Sequence, residues 1–199
     1  MKLFALLCVF LIVRFDLVSA VCSKGVYETG VSDSEKNYIV NKHNELRLLI
    51  ARNQLPGQPR GINLKRMYWD NNIAIAAQNI ANTCVFEHVP VHDSRWAVGQ
   101  NLYASFDSNY VKGANWTAAI LGWWNEHSSY KYPGGFSEKT GHYTQLVWDD
   151  TMYVGCGYTH FPIDGQYQYE KIYACNYGPA GNYPRAPYKT GTSGCENLC

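Results

Sequence analysis

Apolar positions recur along this chain first with the period of a helix and later with the period of a strand. Ile39, His43, Leu46 and Ile50 return on one helical face behind Ser32-Asp33-Ser34-Glu35, a capping box, so a helix is predicted from about Ser34 to Arg52. Pro56 and Pro59 end it. Asp70 can cap a second helix carrying Ile73, Ala76, Ala77, Ile80, Ala81 and Cys84 on one face, with small residues that permit close packing. A third helix fits Trp116, Ala119, Ile120, Trp123, Trp124 and His127, and Pro133-Gly134-Gly135 breaks it. From His142 the pattern changes. His142, Thr144, Leu146 and Trp148 alternate with Tyr143, Gln145 and Val147, which predicts a half-buried strand over Tyr143 to Trp148. Further strands are expected over Met152 to Tyr158 and Lys171 to Tyr177, joined through Asp164-Gly165.

Helices first and strands afterwards argue for an α+β fold in which helices cover a mostly antiparallel sheet. Residues from about Gly178 onward are rich in Pro, Gly and Tyr and predict an extended tail. The chain has no internal repeat and no low-complexity block.

The first 20 residues change the picture of compartment. Met1-Lys2, the apolar run Leu3 to Val13 and the small-residue end Val18-Ser19-Ala20 resemble a secretory leader, with cleavage expected after Ala20. That run is too short to cross a hydrocarbon layer, which needs roughly 20 residues, and no later segment is longer, so no transmembrane segment is expected. Of 17 basic and 16 acidic residues the leader removes Lys2, Arg14 and Asp16, leaving 15 of each in a neutral mature chain. No Lys/Arg block exceeds two residues, which argues against nucleic acid as a partner. Of seven cysteines, Cys8 lies in the leader; Cys22, Cys84, Cys156, Cys175, Cys195 and Cys199 remain. An even count in a secreted chain reads as three disulfides of undetermined pairing, and no pair has the tight spacing of a structural zinc site. Cys156 and Cys175 fall where a hairpin would bring them together. Asn115-Trp116-Thr117 is an N-glycosylation sequon expected at the surface.

Five ordered motifs carry a resemblance. Cys84-Val85-Phe86-Glu87-His88, Gly99-Gln100-Asn101-Leu102, Trp124-Asn125-Glu126, Gly141-His142-Tyr143-Thr144-Gln145 and Cys175-Asn176-Tyr177-Gly178-Pro179-Ala180-Gly181-Asn182 stand in the order of the CAP superfamily. This superfamily holds the cysteine-rich secretory proteins, antigen 5 and plant pathogenesis-related class 1 proteins. The chain resembles its venom-allergen-like branch over about residues 33 to 185, including His43-Asn44 and Arg47. The resemblance implies a three-layer α-β-α sandwich, with a domain over 21-185 and a short cysteine-containing tail over 186-199. It also implies the pairs Cys22-Cys84 and Cys156-Cys175, which leaves Cys195 with Cys199.

The same resemblance implies a central cleft of two histidines and two acids. By motif these are His88, His142 and Glu126, but the position of the first glutamate is Gln100, as in many antigen-5-like members. His88 and His142 could ligate a divalent cation, zinc or magnesium, although none is required. Glutamine supplies neither the second charge nor a base, so a hydrogen-bonded polar cluster is the favoured reading and a metal-dependent hydrolase the least favoured. Gly-x-Ser-x-Gly and His-Glu-x-x-His are absent from the sequence. His88 and His92 are separated by Pro90, which prevents a shared helical face. His127 and His160 read as ordinary surface or edge residues.

The family also implies a sterol-binding aromatic loop, here Tyr130, Tyr132 and Phe136, and a fatty-acid groove, here Leu46, Leu49 and Ile50 facing Ile120, Leu121 and Trp124. Both sets have a competing reading as ordinary packing. The expectation is a secreted, extracellular, non-enzymatic protein that binds sterol or fatty acid. The alternative is a protein ligand acting on host or target proteins through surface loops.

Overall fold

The computed structural model describes Cys22 and residues 24–199; the expected leader over 1–20 lies outside the described residues. Two helical layers enclose one twisted sheet. In chain order the elements are β1 (Glu28–Thr29), α1 (Asp33–Ala51), β2 (Tyr68–Trp69), α2 (Asn71–Ala81), β3 (Gly99–Asp107), α3 (Trp116–Asn125), a 3-10 turn (Glu126–Ser128), α4 (Gly141–Leu146), β4 (Tyr153–Pro162) and β5 (Tyr169–Gly178). The sheet runs β1-β4-β5-β3 with antiparallel neighbours, and β2 adds to β4 in parallel. This is the α-β-α sandwich the sequence implied.

The hairpin β4–β5 sorts side chains by alternation. Val154, Cys156, Tyr158, Tyr173, Cys175 and Tyr177 face a large core shared with α1, α3 and α4. The opposite face meets α2, and there the strand has glycines. A Cβ at Gly155 would lie 2.4 Å from Ala74 N, and one at Gly157 would lie 2.3 Å from Gln78 Cα. Backbone contact between α2 and β4 therefore requires glycine at both positions. Ala77, Ile80, Leu102 and Ala174 complete that thinner layer.

The first two helices follow their sequence signals. Ser32 and Glu35 close the capping box, and Ile39, His43, Leu46 and Ile50 are buried on α1. Asp70 Oδ1 accepts from Asn72 N at 3.0 Å and Ile73 N at 3.1 Å to start α2, which ends at Ala81, so Cys84 lies beyond it. The third helix stops at Asn125, earlier than its breaker at Pro133 suggested.

Two expectations are corrected. Residues 143–148 are not a strand: Gly141–Leu146 is a helix with Tyr143, Thr144, Gln145 and Leu146 all buried, so their alternation reflected no exposed face. The tail is docked rather than extended into solvent. Ile62 N donates to Lys189 O, Tyr188 lies in the core, and Arg52, Arg60 and Arg66 donate to carbonyls of Glu196, Thr192 and Asn197. The disulfides are Cys22–Cys84, Cys156–Cys175 and Cys195–Cys199. Among the described residues no helix is long and apolar enough to cross a membrane.

Candidate functional site

The four cleft residues form two hydrogen-bonded pairs. In the first, His88 Nδ1 lies 2.8 Å from Gln100 Oε1. Gln100 Oε1 also accepts from Val89 N at 3.2 Å, while its Nε2 donates to Val89 O at 3.1 Å and to Asn176 Oδ1 at 3.0 Å. The side chain thus copies a strand ladder against the Val89 peptide. A carboxylate here would face two acceptor oxygens without a proton to offer. Turning Asn176 around is not free either, because its Nδ2 donates to Ile73 O in the α2 layer. Gln100 is a fitted amide.

In the second pair, His142 Nδ1 lies 2.6 Å from Glu126 Oε1. Glu126 Oε2 accepts from His142 N and Tyr143 N, each at 3.0 Å. Thr140, at the N-cap of α4, makes no side-chain cap. The cap comes instead from 16 residues upstream of His142, because Glu126, which opens the 3-10 turn after α3, satisfies two orphan N–H groups of the next helix. The anion also opposes the positive end of α4. Trp123 from the last turn of α3 stacks on the His142 ring at a centroid distance of 6.4 Å.

A carboxylate oxygen and an amide oxygen only accept, so Nδ1 carries a proton in His142 and in His88, and the tautomer of each ring when neutral is the one with its lone pair on Nε2. The arrangement around His142 matches the carboxylate–imidazole support that often sits behind a metal ligand. Glu126 already accepts three N–H donors and Gln100 is spent on Val89 and Asn176, so what remains for a cation is the two imidazole Nε2 atoms and one carboxylate lone pair. That set is poorer than the three or four committed ligands of a protein-held zinc, and poorer still for oxygen-seeking magnesium. Among the described residues no group of three His, Cys, Asp or Glu stands ready to hold an ion.

Sequence reasoning missed the groups that tie this cleft to the core. Asn101, one residue along β3 from Gln100, donates to His142 O at 3.1 Å and to Tyr177 Oη at 3.4 Å. Tyr177 in turn meets His43 Nε2 at 3.0 Å, and His43 Nδ1 donates to Ile39 O at 2.8 Å. Burial pushes the His43 pKa down to about 4, so this imidazole is neutral. The signal was present in Gly99-Gln100-Asn101-Leu102: one strand sends Gln100 to one face of the sheet and Asn101 to the other. Buried Arg47 donates to the carbonyls of Lys65, Leu146, Trp148 and Thr151, locking the exit of α4 to α1. Burial lowers its pKa to about 9.

The lipid candidates divide. Tyr130 is only 5% exposed and packs on Tyr143 inside the core, with its hydroxyl on Gly134 O. Tyr132 is half-buried, stacks on Tyr188 at 5.1 Å and donates to Tyr188 O at 2.9 Å. Phe136 is 56% exposed. It borders a surface cavity of about 550 Å³ together with Pro133, Gly135, Asn182, Pro184 and Arg185. Leu46, Ile50, Ile120 and Trp124 are buried in one core, with Leu49 and Leu121 packed against it. His127 packs on Trp124 and Tyr143. His160 departs from the expectation of an ordinary edge residue: it is fully buried, because Tyr27, Tyr110 and Tyr169 close around it. Asn115 is exposed and caps α3 through Oδ1, which leaves its Nδ2 out of the cap bond.

Fold, disulfides and cleft motifs together define the class, and comparison with known proteins agrees. The chain belongs to the CAP, or cysteine-rich secretory protein, family, whose model matches residues 40–177. It is 39% identical to venom allergen 3 of Solenopsis invicta, over 79% of this chain and 73% of that one. It is 33% identical to salivary antigen-5 of Triatoma infestans, over 94% and 85%. Against cysteine-rich secretory protein 3 of Equus caballus it is 37% identical over 81% of this chain but spans only 66% of that relative. Among solved structures it is similar to NaASP2 with Zn2+, at TM-score 0.69 and 27% identity over 87% and 94% of the two chains.

Proposed function

We propose that this is a secreted, non-enzymatic lipid-binding member of the family, and that the exposed side of the 130–136 loop is its sterol contact. The observation that carries the reading is Phe136. Its ring lies against the backbone of Gly141, where a Cβ would come within 2.7 Å of it, and leaves its other side open beside Pro133 and Pro184. A flat apolar ligand can stack on such a surface and bury the ring without displacing core. A fatty acid between α1 and α3 would have to displace Leu46 and Ile120, which are packed together. Sterol therefore fits this geometry better.

The cleft supports a non-enzymatic reading. Glu126 accepts three N–H donors and is not a free base, and Gln100 cannot be one. The similar structure NaASP2 is of that protein with Zn2+; here two imidazole Nε2 atoms could lend a zinc ion only weak attachment. Three disulfides and relatives named as venom and salivary proteins support secretion.

The test is saturable binding of labelled cholesterol to the delipidated protein, compared with Phe136→Ser. Loss of binding at unchanged melting temperature is expected; equal binding by the variant would overturn the assignment. A second reading, docking to a protein target, draws on Val85, Phe86 and Val89, which are exposed beside His88. Capture of one specific target unchanged by delipidation, together with no sterol binding, would favour it.

A further inference from the structure

At the far end of the sheet from α4, a buried imidazole has no hydrogen-bond partner among the described residues. His160 on β4 is fully buried, and neither ring nitrogen is satisfied. Buried polar groups are normally paired, so an orphan imidazole calls for a reason. Its cross-strand partners are Glu28 on β1 and Lys171 on β5. Tyr110, from the segment after β3, covers the ring in a parallel stack at 5.1 Å and 8°. Tyr27 and Tyr169 close the sides at 5.5 and 5.9 Å.

The same segment is fastened by Glu28. Oε1 accepts from Tyr110 Oη at 2.8 Å, and Oε2 accepts from Gly113 N at 2.7 Å and Tyr158 Oη at 3.2 Å. Lys171 Nζ donates to Gly113 O at 2.9 Å. His160 Nδ1 stands 3.9 Å from Glu28 Oε2, close enough to attract it once charged and too far to bond it now.

We propose that residues 108–113 form an acid-released strap, held on the sheet edge while His160 is neutral and loosened when His160 takes a proton. Two routes lead to the same result. An imidazolium needs solvation, and water reaches this ring only if Tyr110 lifts away. Otherwise the imidazolium draws in Glu28 Oε2, the oxygen that anchors Gly113 N and Tyr158.

The surrounding charges set the direction. The ring faces Glu28 from β1 and Tyr27 just before it, Tyr110 from the strap, Asp107 from the end of β3, and Lys171 and Tyr169 from β5. Burial and then Lys171 disfavour the charged ring, outweighing Glu28 and Asp107, so its pKa lies below the ordinary 6.5. With the strap lifted the ring regains an ordinary value. The strap is thus held fully above about pH 6.5 and progressively lost as the pH falls through the lower, closed-state value. Opening bares His160 beside Tyr169 and the already exposed Tyr27, a rim that is aromatic and newly cationic.

The experiment is nuclear magnetic resonance on the intact secreted protein between pH 7.5 and 4.5. It reads the His160 ring proton alongside amide-exchange protection at Gly113, corrected for intrinsic rates. Protection at Gly113 should fall by about tenfold for each pH unit separating the open and closed ring pKa values, in step with His160 itself. His160→Phe keeps the stack without titrating, and its Gly113 protection should be flat with pH. Gly113 protection that is unchanged while His160 titrates in wild type would overturn the proposal, whether or not the variant folds. So would an unaltered pH dependence in a folded His160→Phe protein.

Discussion

Glu126→Gln tests whether the cleft carboxylate is an architectural group or a chemical one. In the native protein one oxygen takes the His142 Nδ1 proton at 2.6 Å, and the other takes two backbone N–H groups of α4 at 3.0 Å. A glutamine placed the same way keeps the backbone bonds through its oxygen but presents NH2 to the imidazole. The ring must then accept at Nδ1, so its proton moves to Nε2. Stability falls because charge-assisted bonds worth roughly 1.5–3 kcal/mol become neutral ones worth about 1 kcal/mol, and the anion at the helix start is lost. The expected cost is about 2 kcal/mol, or roughly 4–8 °C in melting temperature for a domain of this size. The assays are thermal melting and nitrogen-15 spectroscopy of the His142 ring, which separates the two tautomers. A variant that melts within about 1 °C of wild type and keeps the proton on Nδ1 would refute the reasoning.

Gln100→Glu should destabilise by about 1–3 kcal/mol in urea unfolding at pH 7, because it sets a carboxylate against Val89 O and Asn176 Oδ1; zinc titration should show no strong site gained. Tyr130→Ala should cost roughly 3–5 kcal/mol by opening the core, whereas Phe136→Ser should stay within about 0.5 kcal/mol, measured by the same unfolding curves. His43 refuses a proton in the native state that the unfolded chain accepts below pH 6.5, so stability should drop by roughly 3 kcal/mol between pH 6.5 and 4 from this residue alone. Denaturant midpoints measured across that window check it, and a flat profile would contradict the burial argument. Asp70, held below the ordinary carboxylate range chiefly by its hydrogen bonds from Arg95, contributes stability above pH 3.8 that is lost as the pH falls further. Asp70→Asn should flatten that acid limb.

How far the fold could be read from the chain depended on how local its causes are. The first two helices carry their own caps, Ser32 with Glu35 and Asp70, and their buried faces follow from spacing. The 141–146 helix carries no such cap. Its N–H groups are satisfied by Glu126 on another element, and a six-residue run buried on every side shows no helical stripe to read. β3 was visible only as a motif, since its strand identity comes from the ladder to β5. His160 looked like an edge residue because the three tyrosines that bury it come from the segment before β1, the strap and β5. Tail docking was equally hidden: Arg52, Arg60 and Arg66 look like ordinary surface charges until their carbonyl partners are in place.

The cleft shows why matching positions is weaker than matching chemistry. Motif order located His88, Gln100, Glu126 and His142, and the structure bonds them as two pairs, His88 with Gln100 and His142 with Glu126. What decides their use is where each lone pair and proton goes, and that depends on partners far away in sequence: Val89 and Asn176 for Gln100, two backbone amides for Glu126. With those partners counted, the acid and amide hold loops and a helix in place, which leaves the two imidazole Nε2 atoms as the least committed groups of the four residues. Binding at Phe136 needs no reacting group from the cleft, but its ring leans on Gly141 in the same first turn of α4 that Glu126 caps through His142 N and Tyr143 N, so mutations at the carboxylate cap and at the sterol surface should couple.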